Sequence, residues 1–147
     1  MRIALKSALM LVTRVINAIN PRLDLHLQRT ALISYKLSLA LDLPASQQKT
    51  IFLAALLHDI GVLGDKRRID SLNAIDNLYD PHQIRGVQML AGLDTFTPIS
   101  PIIGDHHFDP TRKGTLEQHI VYFADCFERL LPTQGVVAPD QQKALVD

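Results

Sequence analysis

Ile51-Phe52-Leu53-Ala54-Ala55-Leu56-Leu57-His58-Asp59-Ile60-Gly61 is the stretch that decides how this chain reads. Seven apolar residues run into a histidine, an aspartate and then, after one isoleucine, a glycine. An apolar helix has no structural need for a His-Asp pair at its end. Each unsatisfied buried polar group costs on the order of 1–3 kcal/mol, and a carboxylate costs more. Something must compensate, and a divalent cation is the obvious candidate. Gly61 suits a left-handed helix end.

Outward from this run the periodicity stays helical. The pattern predicts helices near residues 3–19, 23–42, 46–59, 70–78, 82–93, 98–107 and 115–131. Asn20-Pro21 separates the first two. Asp42-Leu43-Pro44 ends the second, and Ser46 is placed to cap the third. Residues 61–65 read as a short loop before the basic run Lys66-Arg67-Arg68. Asp80-Pro81 fits a helix start, with the acid as cap and the proline in the first turn. Asp109-Pro110 closes the sixth helix. No strand-like alternation lasts long enough to build a sheet. The expected fold is an all-α bundle of about six to seven helices. The domain spans 1–131, and 132–147 reads as a tail that begins a further region.

The bulk numbers agree. A chain of 147 residues with 47% hydrophobic residues makes one domain with a real core. The formal net charge of zero argues against nonspecific binding to a DNA or RNA polymer or to an anionic membrane. It leaves open an anionic substrate, because a metal brings its own positive charge. The single cysteine, Cys126, excludes a disulfide framework and a CxxC zinc site, and reads as a small core residue. The expected location is cytoplasmic. The N-terminal helix is too short and too charged to span a bilayer. Its apolar stripe can pack within the domain or across a homodimer.

Metal-grade side chains recur at helical stations: His26, His58, Asp59, His82, His106, His107 and Asp125. Of the six histidines only His119 falls outside this set, and it reads as an ordinary structural residue. A bundle brings inward-facing side chains from several helices to one point. Helix neighbours point about 100° apart, so His58-Asp59 and His106-His107 reach one cleft only because each precedes a loop or breaker. Asp59 has two oxygens and is the candidate bridge between two cations, which in two-metal hydrolytic sites stand roughly 3.5–4 Å apart. Imidazole with carboxylate suits iron, manganese or zinc better than calcium. Such a pair holds and acidifies a bridging water that can attack a phosphoester. Lys66, Arg67 and Arg68 are either a solvated loop or a phosphate clamp.

The ordered series His26, His58-Asp59, His82, His106-His107, Asp125 resembles the HD domain superfamily of metal-dependent phosphohydrolases. Within it the chain is most similar to the HD-GYP group, bacterial phosphodiesterases of cyclic di-GMP. Matching context includes AALLHDIG, HQIRGVQML and IIGDHH. The resemblance implies that all seven residues are metal ligands, with Asp59 bridging two ions, iron or manganese. It implies a hydrolase acting on a nucleotide or cyclic dinucleotide in bacterial signal transduction, with Asp59 as a candidate catalytic residue; Lys66 and Arg67 are candidates on their nearness in sequence alone, as substitutes for a lysine of the group that this chain lacks. The chain departs from the group at three places. Phe108 stands where a glutamate is expected, and no Gly-Tyr-Pro follows. Val62 stands where lysine commonly follows HDIG. Arg22 replaces the glutamate that gives three-metal members a further ligand, so two metals are expected. These departures support an alternative, a degenerate HD module that binds metal or nucleotide without turnover and acts through a partner.

Overall fold

The computed structural model describes residues 5–64, 82–107 and 113–131. Among them the chain forms six α-helices and no strand: α1 Leu5–Ile19, α2 Pro21–Ala40, α3 Ala45–Leu57, α4 His82–Leu90, α5 Ser100–Gly104 and α6 Leu116–Leu130. Two 3-10 segments, Ile60–Gly64 and Asp94–Ile99, follow α3 and precede α5. The expected helix near 70–78, the Asp80-Pro81 start, the Asp109-Pro110 stop and the 132–147 tail lie outside the described residues.

The central element is α3. From Ile51 to Leu57 every side chain is buried except the half-buried Phe52. A helix that is apolar all round belongs in the middle of a bundle, because it has no face to give to water. Burying each large aliphatic side chain contributes roughly 1.5–3 kcal/mol. α2 packs along α3 and α6, and α1 lies against α2. The inward face of α2 carries Thr30, Ala31, Ser34 and Ser38, all buried. These small residues let the α3 backbone come close. On α1, Leu5, Leu9, Val12 and Ile16 point inward at helical spacing. The other side leaves Met10, Leu11, Val15 and Ile19 exposed.

The helix ends follow local chemistry. The Asn20 side chain accepts from the amides of Arg22 and Leu23 at 2.9 and 3.1 Å, with Pro21 in the first turn of α2. α2 stops at Asp42, whose φ of 51° is left-handed. The amide of Leu43 reaches back to Ser38 O and that of Asp42 to Leu39 O, which closes a Schellman turn. At α3, Pro44 rather than Ser46 holds the cap position, and no side chain caps it. A capping box starts α6: Thr115 Oγ1 accepts from the Gln118 amide at 3.3 Å, and Gln118 Oε1 accepts from the Thr115 amide at 2.8 Å. Gln118 Nε2 also donates to Pro101 O, tying α6 to α5.

Two expectations about glycine and helix length change. Gly61 is not a left-handed helix end. Among the described residues only Gly92 and Asp42 have positive φ. The chain passes from α3 through His58-Asp59 into the Ile60–Gly64 segment, so the loop expected there is helical too. Gly61 is required for another reason. A Cβ at this position would lie 1.9 Å from His82 O and 2.6 Å from Gly86 N. The backbone of α4 rests directly on that of Gly61, and this close approach sets His82 beside Asp59. The single helix expected over 98–107 is a 3-10 segment and a short α5. Pro98 and Pro101 fall in that stretch and withhold backbone donors.

Candidate metal centre

His58 is the C-terminal cap of α3, and His106 follows the end of α5 after one residue. Both solve the same local problem. The last carbonyls of a helix lack partners within it. His58 Nδ1–H donates to Ala55 O at 2.8 Å, and His106 Nδ1–H donates to Ile103 O at 2.7 Å. The carbonyl in each case lies three residues earlier. Each bond fixes the ring and keeps the proton on Nδ1, so that Nε2 is the nitrogen turned inward. His26 on α2 is held by a carboxylate: its Nδ1–H donates to Glu128 Oε2 at 2.5 Å.

The inward atoms converge in two adjoining groups. One holds Asp59, His82, His106 and His107, and the other holds His26, His58 and Asp125. Within each group one donor atom per residue lies within 4.8 Å of the others. In the first, His82 Nε2 and His106 Nε2 are 3.2 Å apart, and they stand 3.2 and 3.3 Å from Asp59 Oδ1. In the second, His26 Nε2 and His58 Nε2 are 3.3 Å apart and 3.1 and 3.5 Å from Asp125 Oδ1. Asp59 joins the two. Its other oxygen, Oδ2, lies 3.5 Å from His58 Nε2 and 3.7 Å from His26 Nε2. His107 Nδ1 lies 3.8 Å from Asp125 Oδ2, also across the divide.

Burial and charge set the protonation of this cluster. Burial alone would lower His58, but the carboxylates of Asp59 and Asp125 outweigh it and raise the ring to about 10. His26 is also raised: burial acts downward, and Asp125 and Glu128 prevail. Burial prevails at His106, which is lowered despite Asp59. His107 falls to about 3, through burial and then the neighbouring His106. Burial would raise Asp59, but His58, His106 and His82 hold it well below the usual carboxylate range. Asp125 is held down in the same way by His26 and His58, with Arg129 adding to them.

These donors fit a divalent cation. Imidazole nitrogens and carboxylate oxygens converge within 4.8 Å in each group, and the rings held at Nδ1 turn Nε2 inward. Asp59 Oδ1 is buried and has no partner in hydrogen-bond geometry among the described residues. An acceptor stranded in this way is what a cation satisfies.

The sequence pattern of the HD domain matches residues 23–130. The chain belongs to the HD domain family. Members of this family are generally metal-dependent hydrolases, and the matched span contains every residue of the cluster. No curated protein and no solved structure gives a significant match.

Within this HD domain all seven candidate ligand residues come together, while His119 sits half-buried on α6 outside both groups. Lys66, Arg67, Arg68 and Phe108 lie outside the described residues. Val62, where the resemblance leads one to expect lysine, is buried among Ile16, Leu23 and Leu27, so this position sends no charge toward the cluster. Cys126 is exposed rather than a core residue. Three charged residues at the site escaped the sequence reading. Glu128 orients His26, Arg29 Nη1 lies 3.5 Å from Glu128 Oε1, and Arg129 reaches Asp125 and Asp59. Glu128 was findable, because Val121, Ala124, Asp125 and Glu128 share one inward helical stripe. Among the described residues no helix is long and apolar enough to cross a membrane.

Proposed function

We propose that this HD domain is a phosphohydrolase that uses two divalent cations, iron or manganese, to cleave a phosphodiester. The observation that carries the reading is the placement of Asp59, with Oδ1 facing His82 and His106 and Oδ2 facing His26 and His58. A carboxylate turned both ways at once suits a bridge between two cations. His82, His106 and His107 would hold one, and His26, His58 and Asp125 the other. Bound cations there supply Lewis acidity and a water acidified to near neutral pH.

The chain's own residues do the rest. Ala55 O, Ile103 O and Glu128 hold three rings in register, so the donor set is preorganised. The buried apolar side chains of α3 and α5, Leu57, Ile102 and Ile103 among them, pack in one core beside these rings. Arg129, and in this reading Lys66 and Arg67, meet the negative charge of a phosphate. The first substrate to test is cyclic di-GMP, on the resemblance to the HD-GYP group. The domain would then act in the cytoplasm on a soluble cyclic dinucleotide or nucleotide. The test is hydrolysis of cyclic di-GMP, and of a generic aryl phosphodiester, with manganese or ferrous iron. Metal-dependent product in the parent that disappears in Asp59→Ala supports the reading. Equal hydrolysis by both proteins sinks it.

One observation favours a second reading, a module that binds without turnover. The buried Val62 removes a cation that the resemblance would put beside the site. Measurable cyclic di-GMP affinity with no product after prolonged incubation with either metal selects this reading.

A further inference from the structure

The metal cluster uses only one side of α6. Gln118, Val121, Asp125 and Glu128 form its buried stripe. On another side Leu116, Ile120, Phe123, Phe127 and Leu130 recur at alternating steps of four and three residues. That spacing is the apolar seam by which one helix packs lengthwise on another. Of these five residues only Ile120 is buried within the domain. Phe123 is 54% exposed and Leu130 82%. The rings of Phe123 and Phe127 stack, with centroids 5.9 Å apart and planes 11° apart. The seam positions themselves carry no charge.

The apolar surface continues onto α2. Arg29 of α2 reaches Glu128 of α6 at 3.5 Å, so the two helices lie side by side there. Leu25 stands four residues before Arg29 and Leu32 three after it, on the same stripe of α2, and both are exposed. The open parts of Leu25, Leu32, Leu116, Phe123, Phe127 and Leu130 come to on the order of 600 Å², taking about 200 Å² for a fully exposed large side chain. A patch of about 600 Å² is at the upper end for a monomer. Two such patches face to face remove about 1,200 Å² from water, where the range of specific interfaces begins.

The spacing of the seam fits a second copy of this chain. Leu116 and Leu130 each stand seven residues from Phe123. A two-fold axis at Phe123 sets two α6 helices antiparallel, with Leu116 against the partner's Leu130 and Phe123 against its own mate. An uncharged seam meets its copy without like-charge repulsion. The outward face of α1, with Met10, Leu11 and Val15, is less suited, because the exposed Arg14 stands among them.

We propose that α6, with the adjoining edge of α2, is a homodimer surface on which two copies pair antiparallel through Leu116, Phe123, Phe127 and Leu130. The metal cluster lies on the buried side of α6, so the pairing does not depend on what that cluster holds.

The test is sedimentation velocity of the full chain from about 1 to 200 μM, with a dimer dissociation constant on the order of 10 μM expected. Phe123→Glu and Phe123→Lys, with folding checked by circular dichroism, should each weaken the dimer by about a hundredfold or more, since like charges then meet at the axis. An equal mixture of the two should dimerise again, which a loss of folding would not produce. Cys126, the single cysteine, is exposed beside the seam. In this pairing it and the partner's Cys126 lie three residues to either side of the axis, about 9 Å apart along the helices. A thiol–thiol linker slightly longer than that should join two parent chains and leave each charge variant single. A parent that stays monomeric throughout overturns the proposal, whichever other segment or protein covers the face. So does a dimer untouched by Phe123→Glu, as one through α1 would be, or a mixture of folded variants that stays monomeric. A parent dimer that the linker fails to join overturns the antiparallel pairing through α6, whether or not the variants fold.

Discussion

The half of the cluster around His82, His106 and His107 differs from the half around His26, His58 and Asp125 in what surrounds the rings. His82 and His106 are almost wholly buried, on a floor set by the Gly61 contact and the end of α5. Burial wins there: His106 is lowered and His107 falls to about 3. Both rings are neutral at pH 7 and ready to donate. Around His26 the charged partners Glu128, Arg29 and Arg129 reach the rim. Carboxylates win there, raising His26 and taking His58 to about 10. Those rings keep protons that a cation must displace. The two halves are equally buried, His58 matching His106 and His26 matching His107, so it is the carboxylates packed around His26 and His58 that set them apart.

The strongest way to break the comparison is to remove the residue both halves share. Asp59→Ala is expected to abolish metal-dependent hydrolysis, by about a thousandfold or more, because neither half keeps its bridging oxygen. Steady-state kinetics with saturating manganese checks it. Gly61→Ala attacks one half through the backbone. With a Cβ 1.9 Å from His82 O, α4 must move, and the domain should lose about 3 kcal/mol, read from urea denaturation. The Asp59–His82–His106–His107 half should lose its cation as well. Glu128→Gln acts on the other half alone. It weakens the hold on His26 and should lower affinity for the cation of the His26–His58–Asp125 half by roughly 10–100-fold, with the other half unchanged.

Proton competition sharpens the contrast further. The raised His58 and His26 hold protons at pH 6.5 that a cation must expel, so binding to their half strengthens as pH rises. Affinity there should increase by up to about tenfold per pH unit for each displaced proton between pH 6.5 and 8.5. His107, at about 3, is deprotonated throughout that range and adds no such dependence, and His106 is shifted in the same direction by burial, so the slope in their half is shallower. Manganese titrations at three pH values separate the two slopes. The smallest effect is at the start of α6, where Thr115→Ala removes half of the capping box and should cost about 1 kcal/mol without changing metal content.

Much of this was legible in the sequence because it is local. The apolar run from Ile51 to Leu57 can only be a central helix, and a His-Asp pair at its end can only be buried or at a site. The positions of His26, His82, His106 and Asp125 follow helical spacing. What escaped is set by contacts between distant segments. Gly61 reads as a helix terminator, and only the proximity of α4 shows that its missing side chain is what matters. Cys126 sits in an apolar run but on the outward face, beside the exposed Phe123 and Phe127. Arg129 reads as a surface residue one turn after an acid. Its reach to Asp59 depends on how α6 lies against the end of α3.

The central claim is a metal pair joined by Asp59. Elemental analysis of protein purified without chelator and without air, beside Asp59→Ala, tests it most directly. About two iron or manganese atoms per parent chain and nearly none in the variant is the expected result. A variant that keeps the parent's metal content, or a parent that stays empty after metal is added, would contradict it.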